Sequence, residues 1–212
     1  MESFIIDGGK VSKDNFDDIA DNFLNKTYLK CNSSVYRICE IEFYLLSNDH
    51  TDKYTHQHPN QQRYGRWYFH RYLNGSYKSG TYRGLDLTLG SKKNNQYCGI
   101  LIRSIYDIAN DKMIEGPCRT VNELLSKCGY DNVKDFMADK QVPLSAIRSK
   151  NNRHIYVRDT HDLDTEQSYT TDRVGLSDKF PEWRDSNYRY LIKPIMIKKQ
   201  KKNIIQVLPT NV

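Results

Sequence analysis

No run of about 18 consecutive apolar residues occurs in this 212-residue chain, which excludes a membrane-spanning helix. The stretch from Met1 to Lys10 lacks the basic and apolar regions of a secretory signal. Cysteine is scarce. Cys31, Cys39, Cys98, Cys118 and Cys128 make an odd set without close pairs, which argues against a disulfide framework and a zinc ribbon. They read as reduced, mostly buried thiols of an intracellular protein, nuclear or cytoplasmic. There is no internal repeat. Acidic residues are missing altogether between Asp52 and Asp86.

That acid-free interval is filled with cations and rings. It holds Lys53, Arg63, Arg66, Arg71, Lys78 and Arg83, together with Trp67, Phe69 and tyrosines at 54, 64, 68, 72, 77 and 82. Cations neutralise phosphate and flat rings stack on bases, so the mixture suits a nucleic acid, with Arg66, Trp67, Arg71 and Arg83 as candidate contacts. A pair of strands with an exposed Arg/Tyr face has the same composition. The net charge of +6 is moderate for the length.

Apolar spacing predicts a helix from about Asn15 to Lys26, with Asp14 as its cap. Strands are expected at about Val35–Leu46, Trp67–Tyr72, Leu85–Leu89, Tyr97–Tyr106, Tyr188–Ile192 and Ile204–Leu208. Ser47 to Gln62 is polar and contains Pro59, which suits a loop. Gly116-Pro117 opens a second helix that ends at Gly129, with Thr120 and Glu123 spaced as a capping box, and a short helix is expected near Asn132–Ala138. Asp159 to Asp172 reads as an exposed acidic loop. Strands mixed with a few helices indicate an α+β domain. The expected division is a single domain over 1–195 and a basic tail over 196–212.

On an extended strand, Glu40, Glu42 and Tyr44 share one side, and Cys39, Ile41, Phe43 and Leu45 take the other as the core side. By itself Glu42 is one acid on one strand, equally a salt-bridge partner for Arg103. Several segments in order carry more. Glu40-Ile41-Glu42-Phe43-Tyr44, then a loop with Tyr54-Thr55-His56, then Ile100-Leu101-Ile102-Arg103-Ser104-Ile105, then Gly116-Pro117, then Arg173-Val174-Gly175, Glu182-Trp183 and Tyr188-Arg189-Tyr190 follow one another. In this order the chain resembles the alkyladenine (3-methyladenine) DNA glycosylases over most of Val35 to Ile192.

The resemblance implies a curved, mostly antiparallel sheet with flanking helices, of the formyltransferase C-terminal-like kind. It implies a monofunctional glycosylase that needs no cofactor and no metal, acting as a monomer on DNA. Glu42 would activate water and stabilise an oxocarbenium-like sugar, and Arg103 would position Glu42 or bind the sugar-phosphate. Tyr44, His56 and Tyr82 would hold the flipped-out base. The pattern departs from the family's around Tyr77 to Gly90: with Gly84 aligned, Arg83 stands at the wedge position and Gly80 at a stacking tyrosine, and no Asn is present near Asp86 to Gly90. RNA and a free nucleoside stay open as substrates. Two other readings stay open as well. One is a catalytically silent nucleic-acid-binding module; the other is a metal-dependent nucleoside hydrolase or deaminase using His50, His56, His58 and His70 with Asp49 and Asp52. Trp183 is read as core, and Arg173, Arg184 and Arg189 as possible phosphate contacts.

Overall fold

The computed structural model describes residues 11–139, 145–147, 154–198 and 204. Its organising element is Ser34–Leu46 (β2), a run dominated by β-branched, aromatic and Leu side chains that pairs antiparallel with Tyr97–Asp107 (β5) along most of its length. Thr27–Cys31 (β1) lies beside the first part of β2 and against Ile155–Asp159 (β7). Arg189–Leu191 (β9) takes the same edge of β2 further along, opposite Glu40 to Glu42, and carries Tyr169–Thr171 (β8) on its outer side. Beyond β5 come Leu85–Leu89 (β4) and Tyr64–Phe69 (β3), while Lys112–Glu115 (β6) pairs with the far end of β5.

Among the described residues these nine strands form one curled antiparallel sheet in a single α+β domain. The β2–β5 ladder shifts register between Ile38 and Ile41, at the point where β2 changes partner from β1 to β9. Such bulges bend a strand and sharpen its twist, which accounts for the curl.

The two faces of the sheet differ in chemistry. Phe43, Ile100, Leu87 and Trp67 stand in register from β2 to β3, all buried, and they mark the core face. Phe16–Asn25 (α1) packs there, with Phe16 stacked on Phe43 at 4.1 Å between ring centroids and Phe23 and Leu24 fully covered. Pro117–Lys127 (α2) buries Val121, Leu124 and Leu125, and Val133–Ala138 (α3) sets Phe136 against Phe69. A one-turn helix, Pro181–Arg184 (α4), precedes β9.

The predicted elements need several corrections. β3 runs from Tyr64 to Phe69 instead of Trp67 to Tyr72, because the chain leaves the ladder at Phe69 and loops back through an Arg71–Tyr77 bridge. Asp14 does not cap α1; it sits in a short 3-10 turn, Lys13–Asn15, that leads into the helix. The Thr120–Glu123 capping box does not form either. Gly116 is the N-cap with Pro117 in the first turn, while Thr120 donates to the Arg103 carbonyl and Glu123 accepts from Tyr36. The segment 159–172 is not wholly a loop, since β7 ends and β8 lies within it. Of the expected strand Ile204–Leu208 all but Ile204 lie outside the described residues. Ile204 and Ile197 are buried beside Leu191, so residues beyond 195 contribute to packing at these two positions.

Candidate active site

The face of the sheet opposite the core carries the chemistry. Tyr68 on β3, Asp86 on β4, Leu101 on β5 and Glu42 on β2 are successive register partners. They therefore project from one face in a row, with the backbones of Asp86 and Glu42 two strand spacings, about 10 Å, apart. A cleft of about 620 Å³ opens over this row, walled by Tyr44, His56, His70, Asp86, Leu101 and Arg103 among others.

Glu42 lies beneath one end, covered by Tyr44, Arg103 and Val174, which line the cleft. It has 0 % exposure, and its carboxylate accepts from the Tyr44 hydroxyl at 2.8 Å and the Val174 N–H at 2.8 Å, with Arg103 Nη1 at 3.1 Å. A carboxylate offers about four lone-pair positions, so about one remains after these contacts. Arg103 Nη1 also reaches the Val174 carbonyl at 3.4 Å. The ion pair between Glu42 and Arg103 expected from the sequence is thus part of the arrangement. It is compatible with catalysis, because the guanidinium orients the buried carboxylate and supplies its counter-charge.

Glu40 stands behind this pair. Its Oε1 accepts from Arg103 Nε at 2.9 Å and from Arg189 Nε at 2.7 Å, and its Oε2 from the Ser104 hydroxyl. Burial pushes its pKa up, but Arg103 and Arg189 outweigh burial and hold it below the ordinary value. Burial and the Glu42 charge push the Tyr44 phenol well up, so it remains a donor to Glu42.

A second buried ion pair fixes the segment that closes over Glu42. Both Asp52 oxygens meet the Arg173 guanidinium, at 2.6 and 3.1 Å, and Arg173 also donates to the Phe43 carbonyl at 3.1 Å and to the Trp183 carbonyl. The guanidinium lies 4.7 Å from the centroid of the Tyr44 ring. With Arg173 anchored, its neighbour Val174 is held against Glu42. Arg173 and Arg189 are therefore internal braces and unavailable to phosphate, whereas Arg184 is at the surface beside Asp178 and Asp185. Trp183 is half-buried against the core, as expected.

The opposite wall joins His56, expected from the sequence as a base contact, to a His70–Asp86–Gln61 group that the sequence did not pair. His70 Nε2 meets Asp86 Oδ1 at 2.7 Å, and Asp86 Oδ2 accepts from Gln61 Nε2 at 3.2 Å. The His56 ring stands edge-on to His70, 4.4 Å between centroids, and its Nδ1 is 3.4 Å from the Tyr68 hydroxyl. Desolvation by the cleft wall, then the neighbouring His70, lowers the His56 pKa, so this ring is neutral at pH 7. Alternation from Arg66 through Tyr68 to His70 could have found this wall. The conspicuous Trp67 and Phe69 lie on the other parity.

Gly99 makes room for the wall. A Cβ there would lie 2.5 Å from Asp86 Oδ2 and 2.8 Å from Gln61 Nε2. Gly99→Ala is accordingly expected to destabilise the fold by about 1–3 kcal/mol through overpacking, read from urea unfolding. An unchanged midpoint would mean that Asp86 is free to move aside.

The expected site residues are sorted by this geometry. Tyr44, His56, Tyr82, Arg83 and Arg103 line the cleft, with Glu42 beneath it. Tyr82 is 70 % exposed at the rim and Arg83 donates to Asn122 Oδ1 at 2.5 Å. Arg66 is exposed on β3, away from the cleft lining. Arg71 is engaged within its own loop, 3.9 Å from the Tyr77 centroid and donating to the Gly75 carbonyl at 2.5 Å. Trp67 is the clear correction. It is 3 % exposed on the core face, and its indole N–H donates to the Ile155 carbonyl at 2.8 Å, so it is no contact for nucleic acid. Trp67→Ala should cost about 3–5 kcal/mol of stability in a denaturant melt. A loss of nucleic-acid affinity without loss of stability would contradict this placement. At the tip of the loop after β3, Leu73 is fully exposed and also borders the cleft.

The histidines proposed as a loop cluster are divided between two places. His50 meets the Leu45 carbonyl and the Tyr188 hydroxyl, whereas His56, His58 and His70 surround Tyr68. Gln57 takes a left-handed conformation, φ 52°, so His56-Gln57-His58 is not an extended run. Asp52 is occupied by Arg173, and among the described residues no group of three or more potential ligands converges on a metal position.

The sequence matches no model of a known protein family. It is similar to a mimivirus protein, "Uncharacterized protein L759" of Acanthamoeba polyphaga mimivirus, with 41 % identity over 206 residues, spanning 92 % of this chain and 94 % of that protein. At that identity and coverage the chain belongs to the same family as this mimivirus protein.

Proposed function

We propose that this protein is a monofunctional DNA glycosylase-like hydrolase that cleaves the N-glycosidic bond of a damaged or modified, flipped-out base. The observation that carries the reading is the convergence of Arg103, the Val174 backbone and the Tyr44 hydroxyl, all on residues that line the cleft, on one buried carboxylate, Glu42, beneath it. The cleft volume is within the range of small-molecule sites, and a single base fits that range. The curled antiparallel sheet with Glu42 on its central strand fits the fold implied by the alkyladenine glycosylase resemblance.

In this reading the attacking water sits between the free lone pair of Glu42 and the Val174 carbonyl. Glu42 takes its proton and its charge stabilises the oxocarbenium-like sugar. Arg103 orients the carboxylate and supplies its counter-charge. Tyr44 and His56 flank the flipped base, with Tyr82 at the rim. Lys53 and Lys78, which also border the cleft, meet the strand's phosphates. No cofactor or metal enters the reaction. The test is direct detection of the free base, by mass spectrometry, after incubation with duplexes carrying single modified bases. A base peak matching the lesion supports the reading, and its absence across neutral and cationic lesions overturns it.

One observation favours a second reading. Glu42 has 0 % exposure, which suits a binding module in which the acid is purely structural. That module would bind DNA with a steep salt dependence and release no base from any substrate.

A further inference from the structure

We infer that Cys31 and Cys128 form a reversible internal disulfide, a redox modification site that ties the C-terminal end of α2 to the hairpin between β1 and β2. The inference is independent of the glycosylase reading, since neither thiol lines the cleft.

Three observations carry it. First, the two sulfurs, 97 positions apart in the chain, are brought by folding to 3.3 Å. An S–S bond is about 2.05 Å long, so closing the pair by about 1.3 Å makes it, within reach of small rotations about the two Cα–Cβ bonds. Second, both backbones are fixed at the contact. Cys31 ends β1, in register with Ser34 and Ile155, and the Asn32 side chain beside it donates to the Lys127 carbonyl at 2.7 Å. Cys128 closes α2 with its N–H on the Leu124 and Leu125 carbonyls, and Gly129, φ 82°, turns the chain away. Two groups held together in this way react far faster with each other than with molecules from solution. Third, the thiols differ in access and in proton affinity. Cys31 is sealed, whereas Cys128 is partly exposed. The hydrogen bond from Cys31 lowers the Cys128 pKa, and the same bond, then burial, raises that of Cys31. Cys128 is thus the sulfur that meets an oxidant, and Cys31 the one that completes the bond.

The other cysteines lack this arrangement. Cys39 is fully buried and pushed up to about 12 by burial, and Cys118 has its Sγ on the Gly80 carbonyl at 2.9 Å. Among the described residues no third metal ligand joins Cys31 and Cys128, so they are a dithiol and not a metal site. The oxidant is a small disulfide. The Cys128 thiolate attacks one of its sulfurs, and the other leaves as a thiolate that takes up the Cys128 proton. Cys31 then gives up its proton and attacks the Cys128 sulfur of the mixed disulfide, expelling the second small thiol. Two protein thiols are oxidised and one small disulfide is reduced to two thiols, so hydrogens and electrons balance. The negative end of the α2 dipole opposes a thiolate at Cys128, so the exchange is slower than in a dedicated redox enzyme. Reversible bonds of this kind are the ones that occur in reducing compartments.

Helix α2 connects this contact to the cleft. Pro117 at its start lines the cleft, Thr120 donates to the Arg103 carbonyl, and Asn122 accepts from Arg83. A disulfide at the other end fixes the helix against the sheet, and by closing so long a loop it restricts the unfolded chain strongly.

The experiment equilibrates the folded full-length protein with mixtures of oxidised and reduced glutathione, blocks the remaining thiols, and maps linked peptides by mass spectrometry. The expected result is a Cys31–Cys128 peptide pair joined with the loss of two hydrogens and separated again by dithiothreitol. The Tm of the oxidised protein should rise by about 5 °C or more. That rise should be absent in Cys128→Ser and retained in Cys118→Ser. The inference is overturned by the absence of the link at every glutathione ratio, by glutathione adducts at Cys128 without it, or by a link that forms only after unfolding in urea. A linked protein with an unchanged Tm would overturn it as well. The link is read from the wild type, so a Cys128→Ser chain that fails to fold leaves the test intact.

Discussion

Glu42→Gln is expected to slow base release by about 10²- to 10⁴-fold while leaving duplex binding within a few-fold of wild type. The amide has nearly the same shape: its oxygen can still accept from the Val174 N–H, while its NH2, which cannot accept, donates to the Tyr44 hydroxyl oxygen, whose own hydrogen turns away, so the strand and the segment above it keep their contacts. What is lost is the negative charge and the ability to take a proton. Both are used only while the glycosidic bond is breaking, so the loss belongs to the rate and not to ground-state binding. Quench-flow or manual single-turnover assays against a binding isotherm separate the two. Equal rates for Glu42→Gln and wild type would remove Glu42 from the chemistry and favour the binding-module reading.

Arg103→Met is expected to destabilise the fold as strongly as Trp67→Ala. Arg103 bridges two buried carboxylates, with Nε at 2.9 Å from Glu40 and Nη1 at 3.1 Å from Glu42. Glu40 retains Arg189 and Ser104, but Glu42 is left with two hydrogen bonds and no counter-charge. Breaking a buried pair by removing one partner costs about 3–5 kcal/mol, which for a domain of this size is a fall in Tm of roughly 6–20 °C. The acid side of the stability curve should change too. Glu40 has its folded pKa lowered, so its share of stability is present above the ordinary carboxylate pKa and is lost as pH falls through the folded value. Without Arg103 that lowering shrinks and the acid-side slope flattens. Calorimetry across pH 3–7 measures both, and a variant within about 1 kcal/mol of wild type would show that the pair is solvated.

The elements legible in the sequence are those with long, strong periodicity. β2, β4, β5, α1 and α2 each bury a whole face or stripe, and their apolar spacing records it. The strands that went unseen are short and polar-edged. Thr27–Cys31 leaves Tyr28 and Lys30 half-buried, Lys112–Glu115 begins and ends in charge, and Tyr169–Thr171 is three residues long. Such segments are strands because a neighbouring edge needs pairing, which no local pattern reports.

The site divides in the same way. Glu42 and Tyr44 share a parity on the part of β2 past its bulge, whereas Arg103 stands at the bulge of the β2–β5 ladder and was reached through the family resemblance. The His70–Asp86 and Asp52–Arg173 pairs join residues 16 and 121 positions apart, and only the fold brings them together. In hindsight the acid-free interval held a clue. Asp52 and Asp86, the acids that bound it, are both buried and each is paired with a basic group beside the cleft. Reading that interval as a surface was right for Tyr82 but wrong for Trp67, where aromatic composition was weighed above the two-residue period.

The central claim is that this cleft breaks a glycosidic bond. It is tested most directly by incubating the wild-type protein with end-labelled duplexes, each carrying one modified base, and heating them in alkali to cut at abasic sites. Cleavage at the modified position, before heating absent and after heating present, is the expected result and also shows that the enzyme itself leaves the strand intact. Uncut strands across the whole panel after heating would contradict the account.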